Sequence, residues 1–70
     1  MRIKYQIGTT TTIASVATVE DTDNENVVRV ILVDGREYQL TGNRNVIMNH
    51  FLSSGYYVAP EGSMKYIHEI

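Results

Sequence analysis

Only one stretch of this sequence repeats its apolar residues at helical spacing. Between Asn43 and Gly55, Ile47, Met48, Phe51 and Leu52 recur three and four positions apart, which places them in one stripe. Asn43 or Asn45 can cap such a helix and Gly55 supplies a left-handed stop, so a helix of about ten residues, ~15 Å long, is expected. The remaining apolar residues alternate, or run in short β-rich stretches bounded by Gly, Pro, Asn and Asp. One short helix must therefore serve a whole sheet, which confines the chain to an α+β architecture.

The strand signals follow in order. Arg2, Lys4 and Gln6 alternate with Ile3, Tyr5 and Ile7, the period of a half-buried strand. Gly8 and the run Thr9 to Thr12 make either a wide hairpin connection or an extended edge, because threonine favours strands. Ile13 to Val19 continues as strand with several small residues, and Glu20 to Asn26 reads as a polar loop without an apolar residue. Val27 to Val33 and Arg36 to Thr41 flank Asp34-Gly35 as the arms of a hairpin. After the helix, Tyr56 to Ala59 and Ser63 to Ile70 read as strands around a tight Pro60-Glu61-Gly62 turn. Pairing Ala59 with Ser63 would set Val58 opposite Met64 and Tyr56 opposite Tyr66. The expected fold is a small antiparallel β-sheet of five to six strands in the order ββββαββ, with one short helix packed on one face, spanning residues 1–70 as a single domain.

Burial selects the register of the central hairpin. A two-residue Asp34-Gly35 loop would pair Ile31 with Tyr38 and Arg29 with Leu40, bringing a guanidinium onto the face that Tyr38 and Leu40 need buried. A three-residue loop of Val33, Asp34 and Gly35, with the glycine in a left-handed bulge, pairs Val30 with Tyr38 and Val28 with Leu40. Arg29 then lies opposite Gln39 on the outer face. A one-residue slip exchanges the two faces, so the bulged hairpin is the expected form.

Composition narrows the function. The chain has 70 residues, no cysteine and a net charge of −2, which excludes disulfides and thiolate metal clusters and gives no overall attraction for nucleic acid. No apolar run approaches the ~20 residues of a membrane span, and the expected location is cytoplasmic. Domains of this size bury only about 60% of the surface that the unfolded chain exposes. With Val27 and Ile31 on the outer face of their strand and Tyr57 opposite in orientation to Tyr56, one helix leaves sheet surface uncovered. That surface must be solvated, self-paired or bound, so a homo-oligomer, with a dimer favoured, or a protein target is expected.

No catalytic constellation is legible, and neither a cofactor nor a metal is expected. His50 precedes Ser53 by three residues on the helix, but no carboxylate is placed locally to orient it, and Ser53 and Ser54 suit a polar helix end. His68 and Glu69 alternate across a strand and cannot easily share an ion. Gly42, Asn43 and Arg44 open the helix and form a candidate anion cradle, although a single glycine there equally marks a cap and turn. Glu20, Asp21, Asp23 and Glu25 hold half of the eight acidic residues within six positions. They form a solvated loop or a docking patch for a basic partner. Tyr57 and Lys65, placed opposite each other by the final hairpin, and Arg29 on the outer face complete the candidate contact residues.

In size, charge and the hairpin-helix segment Gly35 to Gly55, the chain resembles the small, acidic, cysteine-free α+β accessory proteins of bacteriophages and mobile elements, anti-defence inhibitors among them. The resemblance implies a non-catalytic inhibitor or adaptor and assigns no particular residue. Two other functions stay open: a binder of a nucleotide or anionic metabolite near Gly42–Arg44, and a nucleic-acid-binding domain.

Overall fold

The computed structural model describes residues 1–68. Six strands and one helix follow the expected order: β1 (Arg2–Ile7), β2 (Thr10–Asp21), β3 (Val27–Leu32), β4 (Glu37–Thr41), α1 (Arg44–Ser54), β5 (Tyr56–Val58) and β6 (Met64–His68). They form one sheet in the order β5-β1-β2-β3-β4-β6. Every pairing is antiparallel except that of β5 with β1, so the sheet is mixed. The end of the expected last strand, residues 69–70, lies outside the described residues.

The first connection is tight, and Thr10 to Thr12 of the threonine run belong to strand. Ile7 pairs with Thr10, leaving Gly8 and Thr9 as a two-residue loop, and Gly8 takes the positive φ of 61° that a type II′ hairpin requires at its first central position. β2 then runs for 12 residues, longer than the sequence suggests: Glu20 pairs with Arg29 and Asp21 with Val28, so the polar loop shrinks to residues 22–26. A register shift between Val16 and Thr18 lets this long strand bend and serve both halves of the sheet.

The central hairpin adopts the register that burial demands. Val30 pairs with Tyr38, Val28 with Leu40 and Arg29 with Gln39. Gly35 has φ 96°, and the loop closes through hydrogen bonds from Leu32 N to Arg36 O (2.9 Å) and from Gly35 N to Leu32 O (3.0 Å).

Two expectations about the C-terminal third are corrected. β5 and β6 do not form a hairpin: Val58 pairs with Lys4 rather than Met64, and Tyr66 pairs with Tyr38 rather than Tyr56. The reason lies in what each strand must cover. β5 follows the helix directly and joins β1 in parallel, through Arg2 N to Gly55 O (2.8 Å) and Ala59 N to Lys4 O (2.8 Å). β6 crosses to the opposite end of the sheet and covers β4.

That crossing forces the sheet to curl. Five strand spacings of a flat sheet measure about 24 Å. The link from Val58 to Met64 contains the turn Pro60–Ser63, closed by Ser63 N to Pro60 O (3.1 Å), and such a link reaches no more than about 18 Å. Tyr5 and Tyr38 confirm the closure: their strands are third neighbours, ~14 Å apart in a flat sheet, yet the ring centroids lie 5.3 Å apart. The result is a half-closed barrel of 26 × 24 × 21 Å.

Its interior holds Ile3, Tyr5, Val16, Val28, Val30, Leu32, Tyr38, Leu40, Ala59 and Met64, with Ile47 and Phe51 of α1 inserted from one end. Asn43 caps α1, its side chain accepting from Val46 N at 3.1 Å, and Gly55 ends it in the left-handed conformation at φ 68°. Gly42 lies so close beneath that an added Cβ would stand 2.9 Å from Ile47 Cδ1. The apolar stripe is narrower than expected. Ile47 and Phe51 are buried and Met48 is half-buried, but Leu52 is 81% exposed, because a helix laid across a barrel mouth buries only the face turned inward.

Candidate interaction site

The acidic segment is an ordered end of the molecule. Thr22 Oγ1 lies 2.9 Å from Asn24 O and 2.8 Å from Val27 O, and Asn24 Oδ1 accepts from Asn26 N at 2.8 Å. Arg44 ties this loop to the helix: its guanidinium donates to Thr22 O (2.8 Å) and its main-chain N–H to Glu25 O (2.9 Å). Asp21, Asp23 and Glu25 are exposed on this framework. Glu20 stands apart on the outer sheet face, 3.7 Å from Arg29 Nη1, a separation and exposure at which an ion pair contributes little.

The outer face of the curled sheet gathers other predicted residues. Cross-strand pairing sets Glu20, Arg29, Gln39 and Lys65 in one row across four strands. Tyr57 is absent from this row, which corrects the expectation that it faces Lys65. It points inward instead, its ring 5.8 Å from Phe51 and 5.6 Å from His50, and burial pushes its hydroxyl pKa upward. Tyr56 points outward, with Arg2 Cζ 5.7 Å from its ring centroid.

At the helix entrance the predicted anion cradle is already in use. Gly42 N donates to Asn26 O (2.9 Å), Arg44 N to Glu25 O and Val46 N to the Asn43 side chain. Gly42 and Arg44 latch the acidic loop onto the helix, while Asn43 caps the helix itself. The hydroxyls at the other helix end also turn to main chain. Ser53 Oγ lies 3.4 Å and Ser54 Oγ 2.9 Å from His50 O. Among the described residues, no three His, Cys, Asp or Glu side chains gather as a metal site, and no helix is long and apolar enough to cross a membrane.

The strand pattern alone does not reveal a second surface, on the outer face of β5, β1 and the first half of β2. Val58, Lys4 and Ile13 stand side by side there, with Val58 54% and Ile13 57% exposed. Beside them a cleft of about 260 Å³ is lined by Lys4, Tyr5, Gln6, Thr11, Val58 and Ala59. The cleft lies where β5, only three residues long, stops pairing with β1 after Lys4. One sequence signal does point here: the first acidic residue of the chain is Glu20, so these strands carry Arg2 and Lys4 and no carboxylate.

No protein-family model matches this chain, and no curated protein or solved structure matches it.

Proposed function

We propose that the protein is a small, non-catalytic interaction module of the cytoplasm, an inhibitor or adaptor of the phage-accessory, anti-defence type, which binds a protein target, a second copy of itself, or both. The observation that carries this reading is the separation of charge on one small body. Asp21, Asp23 and Glu25 stand exposed at one end on a loop fixed by Thr22, Asn24 and Arg44, while β1, β5 and the first half of β2 carry only cations. Three exposed carboxylates stand there against the one guanidinium of Arg44, so the acidic end keeps a net negative field for a basic surface, where complementary charge speeds encounter and selects partners.

Reversing Asp21, Asp23 and Glu25 to lysine tests this reading. The unmodified protein is expected to retain a target from a bacterial lysate, and the triple variant, folded as judged by its circular dichroism spectrum, is expected to lose it. Equal retention by both proteins would remove the acidic end from the contact. No specific target for either would remove the interaction module itself.

A further inference from the structure

We propose that Asp34-Gly35, at the tip of the central hairpin, is a site of isoaspartate formation that Arg36 holds closed in the folded protein. It is the one place in the chain where glycine follows an aspartate or asparagine. The reaction needs no partner but water. The Gly35 main-chain nitrogen loses its proton and attacks Cγ of Asp34. An N–Cγ bond forms, and one carboxyl oxygen departs as water with that proton and the carboxylic acid's own. Water then reopens the cyclic succinimide. Breaking the N–Cγ bond restores aspartate, whereas breaking the bond from nitrogen to the Asp34 main-chain carbonyl carries the chain through Cγ, as isoaspartate. One water leaves and one returns, so the mass is unchanged.

The reacting groups are exposed but engaged. Val33, Asp34 and Gly35 stand in solvent, and no atom lies within 4 Å of the place that a Gly35 Cβ would occupy. Glycine itself brings no side chain to shield its nitrogen. Hydrogen bonds hold nucleophile and carboxyl apart instead. Gly35 N donates to Leu32 O (3.0 Å), Asp34 Oδ1 accepts from Arg36 N (3.1 Å), and Asp34 Oδ2 lies 3.0 Å from Arg36 Nε. The proton that must be lost and both carboxyl oxygens are thus committed to partners other than each other, and giving up such bonds without replacement costs free energy. An exposed ion pair by itself contributes little. This one is anchored from inside, because Arg36 also hydrogen-bonds to the Tyr38 hydroxyl and the Tyr38 ring is buried.

Isoaspartate lengthens the main chain at this tip by one atom. The loop of Val33, Asp34 and Gly35 is closed by Leu32 N to Arg36 O (2.9 Å), and loop length fixes the register of a hairpin. The added atom therefore strains the pairing of Ile31 with Glu37, the first beyond the loop. The modified residue also presents its α-carboxylate as a free group, which is what an isoaspartyl-directed methyltransferase esterifies.

Incubation of the full chain at neutral pH and body temperature, in buffer and in guanidinium chloride, tests the proposal. Isoaspartate is read by mapping the tip peptide, whose two forms share a mass but elute apart, and by carboxyl methylation with an isoaspartyl methyltransferase. The folded chain is expected to isomerise at least about tenfold more slowly than the denatured one, because several bonds must open together. Arg36→Gln, folded as judged by circular dichroism, should isomerise about two- to fivefold faster than the unsubstituted chain, the range of one exposed charged contact. Arg36→Lys should fall between them. Amide hydrogen exchange at Val28 and Leu40 should be unchanged in both variants, which separates loss of the clamp from opening of the whole hairpin. Equal rates in buffer and denaturant, an unchanged rate in folded Arg36→Gln, or faster exchange at Val28 and Leu40 in step with the faster rate would overturn the proposal. So would isoaspartate appearing first at Asp21 or Asp23.

Discussion

Tyr5 shows how one residue couples the fold to solution conditions. Its ring is buried against Tyr38, and burial first, then the neighbouring Tyr38 hydroxyl, push its pKa from 10.0 up to about 12. Beyond Tyr38 lies Arg36, held above its ordinary value by a hydrogen bond to the Tyr38 hydroxyl and then by Asp34, whose carboxylate is 3.0 Å from Arg36 Nε. The folded state therefore holds the Tyr5 proton where the unfolded chain has lost it. This contribution is complete below pH 10 and disappears as pH rises from 10 toward 12. Chemical denaturation across that window should show stability falling with pH. Tyr5→Phe should flatten the fall without abolishing it, because Tyr57 is raised by burial as well. An unchanged slope in Tyr5→Phe would detach the effect from this residue. The sequence places Tyr5 on the apolar face of its strand, but the pairing with Tyr38 belongs to tertiary structure.

Elements differ in how much of them local sequence specifies. Both ends of α1 are local chemistry, an asparagine side chain on Val46 N and a glycine at φ 68°, and both are readable from the residues alone. The hairpin register is readable too, because only one alignment keeps Arg29 out of the core. The width of the buried helical stripe is not local, since it depends on how much of the barrel mouth the helix overlies. Phe51 lies inside and Leu52, its neighbour, outside. Phe51→Ala should cost about 3–5 kcal/mol through lost burial and a cavity, whereas Leu52→Ala should change stability by no more than about 0.5 kcal/mol. Urea denaturation of the two variants distinguishes this arrangement from one in which both residues pack. The acidic segment is similarly divided: its composition announces exposure, while the bonds from Arg44 that order it, from the guanidinium to Thr22 O and from the main-chain N–H to Glu25 O, join positions far apart in sequence.

At the scale of the whole molecule, closure of the sheet substitutes for a second layer. A chain of this length has about 4–10 kcal/mol of stability available in total. Its core depends on contacts across the seam, where the Tyr38 ring centroid lies 5.3 Å from that of Tyr5 and 5.4 Å from that of Tyr66. Tyr38 thus joins β1, β4 and β6, one strand from each side of the opening. Tyr38→Ala should remove about 3–5 kcal/mol, a large part of the total, and leave a protein unfolded or nearly so at moderate temperature. Circular dichroism melting reads the outcome, and a melting temperature close to that of the unsubstituted chain would show that the seam holds without this ring. Curling also reshapes the functional argument. The sequence implies one broad uncovered face. The closed sheet instead presents an acidic end, a row of Glu20, Arg29, Gln39 and Lys65, and a cleft where β5 stops short.

By itself the sequence determined the element order, the helix caps, the central hairpin register and the concentration of acid between Glu20 and Glu25. Each of these rests on residues close together in the chain, or on an alternation that only one pairing can bury. Tertiary structure alone decided the partners of β5 and β6, the inward turn of Tyr57, the exposure of Leu52 and the position of the cleft beside Lys4 and Gln6. A short strand with apolar residues on both faces can pair with any open edge. Which edge it joins is settled by the length of the connections and by what the curled sheet still needs covered.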